Sequence, residues 1–346
     1  MKNLKNYNKY IFISTFTRNI IDIYSIIYLY QKGISINDII ATYALIYFLG
    51  AIISSISLKL GSLYGYKYVL ILSSIFTSMS FYILRSSMNL YLIAIFLSLS
   101  MFTYHPIKHY YGLNLLKQKK QIANTLILSY LATLISSYLA IKEINLFILI
   151  IISIIGILPA CFLEREKNSP IIYPNHLSKE KLSFFILDQF KIIFLLLEPL
   201  YLYVLSSNLS YVGIFNIILT ISSIIYLHII TNKIDLAKNY KYLNLFFCIV
   251  LFLKLNLKNK IFLLILAFFE GMGIKTNELV STMNLYNTDN LNVGYLITSE
   301  KIFCYIRAIL LSIIFLLRID LLTSLYFLLL GIILLSFTYR ENFTRK

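Results

Sequence analysis

Segments of about twenty apolar residues recur along the whole of this 346-residue chain, and at 1.5 Å per residue each can cross roughly 30 Å of hydrocarbon. With 59% hydrophobic and only 13% charged residues and a mean hydropathy of +0.79, the chain carries more apolar surface than a water-soluble globule can hide. A bilayer is therefore its solvent, and the expected class is all-α and polytopic. The formal charge of +16 resides mostly in short connections between apolar segments, where Lys and Arg act as topology signals, so nucleic acid is excluded as a partner. Cys161, Cys248 and Cys304 are far apart and form no CxxC pair or Cys/His cluster, which points to neither a disulfide frame nor a metal site. The stretch after Lys2, Lys5 and Lys9 is too long for a signal peptide, contains Arg18 and Asp22 and lacks a small-x-small cleavage site. It reads as the first membrane helix.

Apolar runs and polar breaks predict twelve helices, at about 10–30, 38–58, 68–87, 90–113, 121–141, 143–163, 183–206, 210–231, 242–254, 259–282, 293–317 and 320–339. The longest polar connection, from Glu164 to Lys181, carries Pro170 and Pro174 and divides the helices six and six. The expected organisation is an N-terminal bundle over 1–163, a cytoplasmic linker over 164–182 and a C-terminal bundle over 183–346. With the amino terminus inside, eighteen of the 31 Lys and Arg fall on the cytoplasmic side and seven on the other, including Lys32, Lys254, Lys258 and Lys260. The positive-inside bias thus favours cytoplasmic termini in a cell membrane, inner or plasma.

The two halves echo each other. Tyr66-Lys67-Tyr68 after helix two and Tyr240-Lys241-Tyr242 after helix eight stand 174 residues apart, half the chain being 173. These are the loops where transporters of the major facilitator superfamily carry the signature Gly-x-Leu-x-Asp-Arg-x-Gly-Arg-Lys, and residues 61–67 resemble its second half. Gly65 and Lys67 match, Ser62 stands in place of the acid, and Leu63 and Tyr66 replace basic residues. The segments from Asn19 to Gly33 and from Glu300 to Arg307 also look like a divergent bacterial member. The resemblance implies two pseudo-symmetric six-helix bundles and a gating latch at Gly65, Lys67 and Lys241, and it places helices one, four, seven and ten around a central cavity.

Ionisable groups inside a bilayer cost about 2.5–3.5 kcal/mol each on insertion scales, so their distribution separates pathway helices from lipid-facing ones. Arg18 and Asp22 in helix one, His105, Lys108 and His109 in helix four, Asp188, Lys191 and Glu198 in helix seven, Glu270, Lys275 and Glu278 in helix ten, and Glu300, Lys301 and Arg307 in helix eleven hold nearly all of them. Arg18 with Asp22, and Glu300 with Arg307, share helix faces as either salt bridges or solute-binding pairs. Glu270 has no cation within a turn of its own helix, and Gly271 and Gly273 beside it allow a bend or a close approach. Pro106 can turn His105 towards a cavity, while the i, i+4 spacing of His105 and His109 lacks a third ligand for metal. Glu198 precedes the helix-bending Pro199. Asp188 and Lys191 read as interfacial groups that snorkel.

The candidate solute or coupling residues are thus Arg18, Asp22, His105, Glu198, Glu270, Glu300 and Arg307. The expected function is secondary transport of a small solute by a monomer without cofactors, coupled to protons or another ion. The absence of a Walker motif argues against a primary pump. Two rivals remain open: a polytopic enzyme or lipid-handling protein, such as an acyl or glycosyl transferase or a flippase, and a non-transporting membrane scaffold.

Overall fold

The structure, a computed structural model, describes residues 2–116, 119–141, 146–163, 171, 179–233, 236–286 and 293–338, and all of the regular structure among them is helical. The helices are α1 (Lys2–Gln31), α2 (Ile36–Tyr64), α3 (Tyr66–Ser86), α4 (Leu90–Leu115), α5 (Lys119–Ile141), α6 (Leu146–Ile155), α7 (Ile157–Cys161), α8 (Lys179–Ser206), α9 (Leu209–Lys233), α10 (Leu236–Asn256), α11 (Lys260–Tyr286), α12 (Val293–Leu316) and α13 (Leu321–Thr338). They correspond to the twelve expected helices, the sixth being interrupted at Gly156 into α6 and α7. Much of the expected linker lies outside the described residues. Among those described, five helices are long and apolar enough to cross a membrane on composition alone, in α2, α3, α4, α9 and α13. Each of α1, α8, α11 and α12 carries at least three charged residues.

Local chemistry sets where several helices begin. Ser35 caps α2 by accepting from the Asp38 amide at 3.1 Å, and Asn89 caps α4 by accepting from the Tyr91 and Leu92 amides. The same devices recur one half-chain later. Asn208 accepts from the Ser210 and Tyr211 amides at the start of α9, and Asn259 accepts from the Ile261 and Phe262 amides at the start of α11. The turn before α2 places Gly33 at φ +83°, and the turn before α9 places Ser207, 174 positions later, at φ +52°. Duplication is therefore visible in backbone geometry as well as in the Tyr-Lys-Tyr echo.

Packing follows two compact units that are not continuous halves of the chain: residues 1–117, 144–177 and 290–318 form one, and 118–143, 178–289 and 319–346 form the other. In the first, α3 packs on α4, α6 and α7, α2 packs on α4 and lengthwise on α12, and α1 packs on α6 and α7. In the second, α10 packs on α11 and α13, α9 packs on α11 and α5, and α8 packs on α13. Exchanging α1 with α8, α2 with α9, α3 with α10, α4 with α11, α5 with α12, and the α6–α7 pair with α13 turns each pairing into its counterpart. The internal repeat expected from the loops is a repeat of the whole packing plan.

The buried faces are rich in small hydroxyl residues. Ser74, Thr77, Ser98 and Ser223 each donate to a carbonyl four residues back, which satisfies the hydroxyl without water and lets helices approach closely. Outward faces are apolar at helical spacing, as with Phe48, Ile52 and Ile56 on α2 and Ile261, Ile265 and Phe269 on α11. Such surfaces suit hydrocarbon and would be unusual in water.

Gly271 shows how tight the helix contacts are. A Cβ there would run into the Leu219 backbone carbonyl on α9, whereas one at Gly50 would meet the far edge of the Phe102 ring on α4. Gly271→Ala is therefore expected to lose about 1–3 kcal/mol of stability, because a backbone cannot turn aside as a side chain can. Gly50→Ala is expected to lose less, and thermal midpoints of the purified variants rank the two.

Candidate functional site

The second unit is built around one buried ammonium. Lys254 on α10 donates to both carboxylate oxygens of Glu270 on α11 at 2.8 Å and to Glu198 Oε1 on α8. Lys254 and Glu270 are wholly buried and Glu198 nearly so. The rings of Phe194 and Phe215 flank the ammonium at 5.2 and 5.6 Å, near enough for the ring quadrupole to add attraction. In a low-dielectric interior such a cluster survives only with close geometry and every donor satisfied.

This arrangement corrects one expectation. Lys254 was assigned to a connection on the non-cytoplasmic side, but α10 runs on to Asn256 and carries it inside. The cation that Glu270 lacks along its own helix comes from a neighbouring one. Two other basic residues that oppose the charge bias also have structural uses. Lys32 donates to the Leu84 carbonyl and, at 3.1 Å, to that of Ser87 at the end of α3, and Lys260 donates to the Ser206 carbonyl at the end of α8 at 3.3 Å. Cations are favoured at helix C-termini by the exposed carbonyls and the helix dipole.

The first unit has a buried charge at the equivalent junction. Arg18 on α1 donates to the Ser100 carbonyl on α4 at 2.6 Å, to Thr77 Oγ1 on α3 at 2.9 Å and to Ser73 Oγ. Its guanidinium lies 4.1 Å from the centroid of Tyr104. The α1–α3–α4 node thus corresponds to the α8–α10–α11 node, with hydroxyls and carbonyls on one side of the repeat and carboxylates on the other. The Asp22 side chain, expected to pair with Arg18, lies outside the described residues, as does that of Lys275.

Two carboxylates nearer the other helix ends also occupy equivalent places. Glu300 on α12 lies 3.7 Å from His109 Nε2 on α4, and Glu278 on α11 accepts from the Tyr130 hydroxyl on α5. His109 and Glu278 are 169 positions apart, Tyr130 and Glu300 are 170 apart, and the starts of the helices that carry them are offset by 170 and 174. Each contact joins a helix of the first half-sequence to one of the second. Arg307, one of the expected residues, stands over the Tyr47 ring on α2 at 5.3 Å, and His105 is half-buried with its ring 5.2 Å from that of Tyr104.

Asp188 and Lys191 do not snorkel outward. Both are buried and paired with each other, and Asp188 also accepts from Ser281 Oγ on α11 at 3.0 Å. At the expected gating loops, Gly65 joins α2 to α3 at φ +111°, a conformation that L side chains rarely adopt. Ser62, in the acid's place, donates back to the Lys59 carbonyl of its own helix at 2.7 Å. Tyr66 is wholly buried and stacked on Tyr110 with centroids 3.6 Å apart, while Lys67 lies over the exposed Tyr68. The second copy shows the same pattern of burial, with Tyr240 buried and Lys241 and Tyr242 exposed, Lys241 lying over Phe337. Sequence reasoning missed Tyr130, Ser73, Thr77, Ser100 and Tyr104 as partners of these charges. Only the density of Ser and Thr in α3 and α4 pointed to them.

No protein-family model and no curated protein matches the sequence. Solved structures do match over nearly the whole chain. The human organic anion transporter MFSD10 is similar at a TM-score of 0.68 with 11% identity, covering 97% of this chain and 98% of that one. A bacterial homologue of the iron transporter ferroportin in an outward-facing state gives 0.68 with 11% identity and 98% of both chains. The nucleoside transporter NupG gives 0.66 with 10% identity, covering 96% of this chain and 98% of that one. The chain has the fold of the major facilitator transporters.

Proposed function

We propose, from that fold, that the protein is a secondary transporter that carries a small solute across a cell membrane by alternating access of two six-helix halves, 1–163 and 183–346. The observation that carries this reading is the duplicated packing plan: α2 lies along α12 and α9 along α5, so each half-sequence lends one helix to the compact unit dominated by the other. A protein built as two related halves has two near-equivalent ways to open, one to each side of the bilayer. The buried charges of α1, α8, α10, α11 and α12 fit a carrier, because a scaffold gains nothing from their insertion cost. The solved structures of this fold named above are transporters rather than enzymes.

Coupling to protons is assigned to Glu198, Lys254 and Glu270. Two carboxylates share one ammonium there, and a single proton neutralises the set. Glu198 is its slightly exposed member, through which the proton enters. The charge bias favours both termini in the cytoplasm, and it strengthens once Lys254 is counted inside the membrane and Lys32 and Lys260 as helix caps.

Purified protein in liposomes, supplied with a metabolite mixture and an imposed pH gradient, is expected to accumulate at least one solute in a gradient-dependent way. Glu198→Gln is expected to keep exchange of that solute but lose its dependence on the gradient. Product formation without a gradient, or no accumulation of any solute, would overturn the reading.

A further inference from the structure

We infer that the solute is an organic anion, engaged by the basic side chains of α4 and α12 in the first unit. Sequence alone left the sign of the solute open, with Arg18, His105 and Arg307 favouring an anion and Asp22, Glu270 and Glu300 favouring a cation. The structure separates the two sets. Glu198 and Glu270 are engaged by Lys254, Glu278 by Tyr130, and Asp188 by Lys191 and Ser281, while Glu300 lies 3.7 Å from His109 and in the field of Arg307. A carboxylate already engaged by a donor is a poor cation ligand, since a cation must displace the donor and leave it buried.

The basic groups stand together. Lys108, Arg18, His109 and Arg307, from α1, α4 and α12, are the charges acting on half-buried His105, and all four are basic or become so on protonation. Tyr104 carries two of these cations near its ring, Arg18 at 4.1 Å and Lys108 at 5.9 Å, and Tyr47 carries Arg307. With both histidines neutral, Arg18, Lys108 and Arg307 outnumber Glu300 among the described groups there. Protonation of either histidine widens the excess.

Converging cations over aromatic faces select an anionic head group carrying an apolar or aromatic body, as in an aryl carboxylate or an aryl phosphate. Arg307, partly exposed and with a planar fork of donors, is the group best shaped for such a head. Arg18, almost fully buried, contributes its field. The inference takes its site from the transporter reading, yet binding tests it without flux.

The test uses four compounds of one shape and different charge: benzoate, phenyl phosphate, benzylammonium and benzyl alcohol. Binding is read by calorimetry on the purified protein in nanodiscs. Benzoate and phenyl phosphate are expected to bind about tenfold or more tightly than the cation and the alcohol, the scale of one charge-assisted contact. Arg307→Gln is expected to remove that preference and Arg307→Lys to keep part of it. His105→Asn, a second variant that leaves the Arg307–Tyr47 contact in place, is expected to weaken both anions. A preference for benzylammonium or benzyl alcohol, or no binding of either anion up to about 10 mM, overturns the inference. Anion binding without flux would leave the inference standing and remove the transport reading. Flux of a cationic or neutral solute alone would do the opposite.

Discussion

Lys254→Met is expected to cost about 3–5 kcal/mol, because it leaves two carboxylates buried against each other with their donor gone. The protein should then lose its monodisperse form in detergent at temperatures the parent withstands. Solvation is the cause more than attraction: Glu270 is wholly buried and Glu198 nearly so, with no water to take over the hydrogen bonds that the ammonium supplied. Removing the carboxylates together with the cation, in Lys254→Met, Glu198→Gln, Glu270→Leu, is expected to recover most of the loss, since an apolar core of similar volume tolerates what an unpaired charge does not. The recovered triple variant would lack the proton site, so its solute movement should ignore an imposed pH gradient. A Lys254→Met protein as stable as the parent would show that water reaches the cluster.

The second large effect concerns the two matched carboxylates. Glu278→Gln with Glu300→Gln is expected to loosen α11 from α5 and α12 from α4, which the contacts of these carboxylates with Tyr130 and His109 join. A hydrogen bond to a charged group is worth about 1.5–3 kcal/mol, so the Tyr130–Glu278 bond weights the joined arrangement of α5 and α11 by roughly ten- to a hundredfold, while the 3.7 Å contact of Glu300 with His109 adds an attraction once His109 is protonated. A cysteine at exposed Asn114, near the end of α4, reports the change once native Cys161 is replaced by serine. Glu278→Gln should raise its labelling rate about tenfold, Glu300→Gln by less, and the pair by more than either alone. Tyr130→Phe should match Glu278→Gln. Unchanged labelling in the double variant would reduce both contacts to ordinary packing.

Much of the fold was legible because its cause is local. Hydropathy placed twelve helices, and Asn208 and Asn259 mark helix starts by the same chemistry as Ser35 and Asn89. The errors were shifts of register at helix ends. Setting the seventh helix to begin at 183, four residues after the observed Lys179, made Asp188 and Lys191 look like end residues free to snorkel, whereas they are buried and paired beside Ser281 of α11. Ending the ninth at 254 left Lys254 outside, although Leu255 and Leu257 continue its apolar run. The pairing of charges was not legible at all. Glu270 finds its cation sixteen residues away on another helix, and Tyr130 finds Glu278 at a separation of 148. No periodicity along one helix encodes which neighbour it will meet, so the sequence identified the charged groups but not their partners.

The lengthwise contact of α2 with α12 bears on how the protein is made. The ribosome finishes α2 at Tyr64 and does not reach α12 until Val293, a wait on the order of ten to fifty seconds at ordinary elongation rates. Meanwhile the face of α2 that α12 will cover is left to lipid or to an insertion chaperone. α5 waits only from Ile141 to Leu209 for α9, so biogenesis is asymmetric even though the finished architecture repeats. The α2 face thus waits far longer for its cover than the α5 face, and nascent chains arrested before α12 would be the ones most open to quality-control proteolysis.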